Sequence, residues 1–146
     1  MIEKLNTHTA ELTVGNKSDA TSQRPEGERL LSAPLVALNL NEFMKQLKEE
    51  TAWTDSDRNS KTIFKSGTMT MILMAMHKDA ELKPHNADGP ITVQVLDGTI
   101  EFTANQRSSQ MEKGHLIALQ QNITHSVRAV TDTCFLLTRN NPIQPN

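Results

Sequence analysis

This 146-residue chain has no tyrosine, one tryptophan, one cysteine and four phenylalanines. With Cys134 as the only cysteine, neither an internal disulfide nor a thiolate metal cluster can form. Cys134 lies in the apolar run DTCFLLT, where a thiol is expected to be buried and inert. The few aromatics cannot make a base-stacking platform, and a net charge of −2 supplies no basic field for nucleic acid or anionic lipid. The longest apolar run, MILMAM, is too short to span a bilayer, and the N-terminal residues lack the basic-then-apolar layout of a signal peptide. These absences lead us to expect a soluble, cytoplasmic protein with neither nucleic acid nor a membrane as partner. No phosphate-cradling glycine loop, G-x-S-x-G or H-E-x-x-H pattern occurs either.

The chain is long enough for one domain with an aliphatic core, and its seven methionines can fill irregular gaps there. Residues 1–30 are polar and read as a loosely ordered arm, in which AELTV could add a strand to a neighbour. Residues 31–60 form a helix-containing extension. In NLNEFMKQLKEETAW, Asn39 is placed to cap a helix, with Glu42 three positions on. Leu40, Phe43, Met44 and Leu47 then fall at i, i+3, i+4 and i+7, one apolar stripe. Its opposite face is not basic, so the helix is expected to dock on a sheet edge or subunit contact, with Trp53 beside it.

From residue 61 to 146 the character is β. TIFKS, TMTMILMAMHK, ITVQVLDGTIEFTA, QMEKGHLIALQ and HSVRAVTDTCFLLTR are short, rich in Val, Ile, Thr and Phe, and separated by turn residues, as in a sandwich or barrel. Asp97-Gly98 in VLDGTIEF reads as a tight hairpin turn requiring positive φ, and ANQRSSQ as a second, wetter hairpin. Residues 69–76 are apolar on both faces and need cover on both sides. That need, together with the apolar CFLLT, leads to the expectation of a homodimer.

Two stretches resemble the paired motifs of the cupins, specifically small single-domain cupins of the RmlC-like type. In ELKPHNADGPITVQVLDG, His85 takes the first histidine position of the first motif (G-x5-H-x-H-x3-4-E-x6-G) and Gly98 its last glycine. In GHLIALQQNITHSVRA, Gly114 and His125 match the second motif (G-x5-P-x-G-x2-H-x3-N). The resemblance covers about residues 62–138 and looks like an uncharacterised bacterial subgroup with an N-terminal helix. It implies an all-β fold: an RmlC-like jelly-roll barrel preceded by one amphipathic helix and the arm. It also implies a metal site, but Ala87 and Ile91 stand where the first motif has histidine and glutamate. Gln120, Asn122 and Ala129 replace the proline, glycine and asparagine of the second motif. Of four expected ligands, only His85 and His125 are present.

Strand alternation puts His85, Ala87, Ile91, Val93 and Val95 on one barrel-lining face, and His125, Val127 and Ala129 on another. The resemblance then brings His85 and His125 into one apolar pocket. His77, sharing parity with Met71, Leu73 and Ala75, is the candidate third ligand-binding residue. His115 reads as a turn residue, and His8, in the arm, has no assigned role. Burial and mutual repulsion are expected to lower the pKa of the pair, and a neutral imidazole can donate one hydrogen bond and accept another. Three readings follow. The pair binds a small molecule or serves as acid and base in an isomerisation. Alternatively, it holds a divalent transition metal weakly, in a metal-dependent oxygenase or isomerase completed from elsewhere. Otherwise it is an inherited pair without function, and the domain is chiefly a dimeric scaffold.

Overall fold

The computed structural model describes Arg24 and residues 31–142. The arm expected over residues 1–30, including AELTV and His8, lies outside the described residues except for Arg24. Among the described residues, two short helices, α1 (Leu40–Glu49) and α2 (Thr51–Asp55), precede nine strands. The strands are β1 (Arg58–Lys65), β2 (Met69–Met76), β3 (Glu81–His85), β4 (Ile91–Asp97), β5 (Thr99–Ala104), β6 (Arg107–Glu112), β7 (Leu116–Leu119), β8 (His125–Ala129) and β9 (Thr133–Asn140). They form a five-stranded sheet of order β1-β2-β9-β4-β7 and a four-stranded sheet of order β3-β8-β5-β6, with antiparallel neighbours throughout. The architecture is a jelly-roll β-barrel with a small helical extension.

Period-two alternation builds the interior. Ile91, Val93 and Val95 of β4 meet Ile100 and Phe102 of β5, Val127 and Ala129 of β8, and Phe135 of β9 between the sheets. Met76 and Met111 also belong to this cluster. A second apolar cluster lies outside the barrel, where Leu47 is buried with Ile63, Leu73, Ala75, Cys134 and Leu136. Leu40, Phe43 and Met44 of the stripe, together with Trp53, pack against that cluster. Over β1, β2 and β9, then, the cover that the sequence reading assigned to a second copy comes from the chain's own helix. Cys134 lies in this layer, fully buried, and burial pushes its thiol pKa up to about 12.

Asn39 caps α1, its Oδ1 accepting from the Glu42 backbone N–H at 3.2 Å. The expected single helix breaks at Glu50, which is extended (φ −84, ψ 152). Its carboxylate accepts from Arg24, Asn59 and Gln46. Asn59 is itself buried and also donates to the Leu47 carbonyl, tying the end of α1 to β1.

The Asp97-Gly98 turn requires a correction. Gly98 has positive φ (78) as expected, but β4 pairs with β7 and β9 while β5 pairs with β6 and β8. The turn is a corner at which the chain passes from one sheet to the other. A Cβ at Gly98 would lie 2.1 Å from the Asp132 carbonyl oxygen, so the corner also depends on close backbone approach. The hairpin expected at ANQRSSQ is present: Ala104 pairs with Arg107 across a two-residue turn, Asn105 (φ 50) and Gln106 (φ 63). Two positive φ values in such a loop define a type I′ turn, which favours glycine at its second position. The left-handed conformation costs a residue with a Cβ about 1–2 kcal/mol.

Candidate functional site at the barrel mouth

β3 is an edge strand, which is why Pro84, lacking a backbone N–H, is tolerated within it. The strand ends at His85, directly opposite His125 at the start of β8. Their ring centroids are 4.4 Å apart with planes tilted by 60°. His125 is only 5% exposed and stacks on Phe102 at 5.6 Å, an interplanar angle of 11°. His85 is exposed. Phe102 belongs to the interior cluster, so the imidazole pair sits on a filled barrel, at its mouth.

Each ring is held by the same device. His85 Nδ1 lies 2.7 Å from the Lys83 carbonyl oxygen, and His125 Nδ1 lies 2.9 Å from that of Ile123. A carbonyl can only accept, so both Nδ1 atoms carry the proton, and in the neutral ring each Nε2 presents a bare lone pair. Burial lowers the His125 pKa, and the neighbouring His85 lowers it further, against the opposing pull of the Ile123 carbonyl. His125 is therefore held toward its neutral, Nε2-accepting form.

The other expected site residues lie elsewhere. Ala87 packs on the interior cluster and Ile91 is buried within it, so the positions of the missing histidine and glutamate hold only apolar groups. His77 does not join the pair. Its ring stacks on Trp53 with centroids 3.5 Å apart, and its Nε2–H donates to the Trp53 carbonyl at 2.6 Å. Its Nδ1 faces Asp132 at 3.8 Å, in the β8–β9 turn. His125 opens β8 and Asp132 follows its end, so His77 and the pair are at opposite ends of that strand. Parity alone suggested an inward ring; His77 lies one residue past β2, where strand alternation no longer governs. His115 caps its turn, with Nδ1 accepting from the Glu112 backbone N–H at 2.9 Å.

A catalytic metal centre generally takes three protein ligands. Among the described residues no group of three or more His, Cys, Asp or Glu is placed to hold an ion. The donor set that the fold family implies is thus not met by these residues, two imidazoles apart.

A cleft of about 480 Å³ adjoins the pair, with His125 in its lining. Thr103 and Ser126 also line it, with Asn105 and Gln106 from the β5–β6 turn and Asn122 and Thr124 from the loop before β8. Thr103 and Ser126 are a register pair on the opposite parity to Phe102 and Val127, so the cleft opens on the outer side of the four-stranded sheet. Sequence reasoning missed these residues because exposed Asn, Gln, Thr and Ser are what any turn contains.

No protein-family model matches the chain, and no curated protein matches it. Solved structures do match. A cupin 2 conserved barrel domain protein from Leptotrichia buccalis is 30% identical, with TM-score 0.56, the match covering 60% of this chain and 42% of that one. An RmlC-like cupin from Desulfovibrio desulfuricans is 25% identical, with TM-score 0.55, covering 61% and 87%. The salicylate 1,2-dioxygenase of Pseudoaminobacter salicylatoxidans, solved as adducts with gentisate, is 15% identical, with TM-score 0.66, covering 77% and 35%. The class is an all-β jelly roll. Within it, the chain has the RmlC-like fold of the cupin superfamily.

Proposed function

We propose that the protein binds a small molecule at the barrel mouth, with the Nε2 atoms of His85 and His125 as paired hydrogen-bond acceptors. The observation that carries this reading is the double Nδ1–H-to-carbonyl anchoring, 2.7 and 2.9 Å, which leaves two adjacent rings with their free nitrogens uncommitted to the backbone. Two bare lone pairs suit a ligand that donates hydrogen bonds, such as a hydroxyl or amine. Phe102 beneath His125 holds the buried ring in place. The likeness to a dioxygenase at 15% identity concerns fold, so no oxygenation is assigned to this chain.

A thermal-shift screen of neutral alcohols and amines tests the proposal, followed by imidazole ¹⁵N spectra of any hit. The expected result is a stabilising ligand that moves the Nε2 signals of both histidines and loses its effect in His85→Ala and His125→Gln. A ligand whose effect survives both substitutions would refute the reading. So would a near-stoichiometric transition metal on protein purified without added metal or chelator, if either substitution removes it. That result would favour the competing metalloenzyme.

A further inference from the structure

The cleft beside His125 has a lining whose chemistry is selective. Apart from His125, its polar groups among the described residues are the amides of Asn105, Gln106 and Asn122 and the hydroxyls of Thr103, Thr124 and Ser126, with no Asp, Glu, Lys or Arg among them. The Thr103 hydroxyl is bonded to Ser108 at 2.8 Å. Among the described residues, the side chains of Asn105, Gln106, Asn122, Thr124 and Ser126 make no hydrogen bond to the protein. Pro84 and Ile123 add small apolar surfaces to the same wall.

Backbone conformation supplies the second observation. Four non-glycine residues among those described have positive φ, and three of them, Asn105, Gln106 and Asn122, line this one cleft. Gln106 occupies the second position of a type I′ turn, where glycine fits best. Asn122, with φ 61, stands where the second cupin motif has its glycine. At Gln106 the chain keeps an amide side chain on a backbone that favours glycine, whereas Asn105 and Asn122 are of the type that tolerates this conformation best; all three amides border the same space. A local rule broken beside a cleft, as at Gln106, points to a functional site.

From this we infer that the cleft is a subsite for a neutral, polyhydroxylated ligand, a saccharide or polyol, recognised by its amides and hydroxyls. Planar amides both donate and accept, as vicinal hydroxyls do, and the described lining offers no cation to pair with a sugar acid or phosphate. Pro84 and Ile123 suit the C–H face of a sugar ring. The inference deepens the proposed function and rests on it in one respect: the cleft borders His125, whose ring faces the barrel interior on Phe102 while the cleft opens on the outer side of the sheet.

The test is a ¹⁵N-detected titration of the labelled full chain with glucose, galactose, mannose and maltose, and with glucuronate as a charged control. We expect saturable shifts of the Asn105, Gln106 and Asn122 side-chain amides with at least one neutral sugar and none with glucuronate. Gln106→Gly and Asn122→Gly should each weaken binding about tenfold through lost hydrogen bonds. Neither should lower Tm, because glycine relieves the left-handed backbone. Failure of all four sugars to shift these amides, preferential binding of glucuronate, or undiminished affinity in the double glycine variant would overturn the inference. If sugars shift the cleft amides while His85 and His125 stay unmoved, the cleft stands and the histidine proposal falls. If the screen yields a His125-dependent ligand but no sugar binds, the reverse holds.

Discussion

Leu47→Ala tests whether α1 is integral to the domain. Leu47 is the one fully buried residue of the helix, at 0% exposure, against Ile63, Leu73, Ala75, Cys134 and Leu136. Truncation removes three carbon groups, at about 0.8 kcal/mol each for lost transfer free energy, or about 2.4 kcal/mol. The cavity adds to this, because β1, β2 and β9 are locked by their ladders and collapse only partly. The expected loss is about 3–4 kcal/mol, within the range for buried leucines. Against a typical domain stability of about 5–15 kcal/mol, that is a large fraction. Urea unfolding should be followed by Trp53 fluorescence and far-UV circular dichroism together, since Trp53 packs against the same cluster and reports on the helices. Both transitions should move to lower urea by the same amount with an unchanged slope. A loss below about 1 kcal/mol would refute the burial argument. A shift in the Trp53 transition alone would show that helices and barrel unfold as separate units.

Gly98→Ala and Gly114→Ala both place a Cβ at positive φ (78 and 90), but only the former meets a neighbour, the Asp132 carbonyl. Denaturation should show about 1 kcal/mol lost at Gly114 and clearly more at Gly98; equal losses would discount the close approach at the corner. The folded pKa of His125 is lowered below 6.5, so between the two values the unfolded chain binds more protons and stability rises with pH. Tm should fall as pH drops through about 6.5, and His125→Gln should remove part of that slope; an unchanged slope counts against the buried neutral ring. Burial raises the Glu50 pKa, but hydrogen bonds from Asn59 and Arg24 and the charges of Arg24 and Lys61 outweigh it, leaving it lowered from 4.5. Its contribution is present above about 4.5 and lost as pH falls through the folded value, so Glu50→Gln should destabilise at pH 7 and converge on wild type in acid.

Legibility in the sequence varied with the range of the interaction. The Asn39 cap, the Leu40–Phe43–Met44–Leu47 stripe and the turn at Asn105-Gln106 were readable because each joins residues a few positions apart. The partnership of His85 and His125 came through motif spacing, and the strands place the two residues directly opposite each other. β3 was not read as a strand, since ELKPH has a proline and almost no apolar residues. The run HSVRAVTDTCFLLTR holds two strands that belong to different sheets, and apolarity alone carries no mark of that division.

By itself the sequence determined local backbone and facing: the positive φ at the Asp97-Gly98 turn, which side of each strand is apolar, where a helix begins, and that His85 and His125 are the motif histidines present. Only the tertiary structure decided who meets whom. It made Asp97-Gly98 a corner between sheets, laid α1 over β1, β2 and β9, and sent His77 to Trp53 at the far end of β8. It also gathered Asn105, Gln106 and Asn122 around one cleft. The physical reason is that torsional preference and periodicity act over a few residues. Strand pairing and face cover are chosen across the whole chain, by the arrangement that buries the most apolar surface with its backbone bonds made.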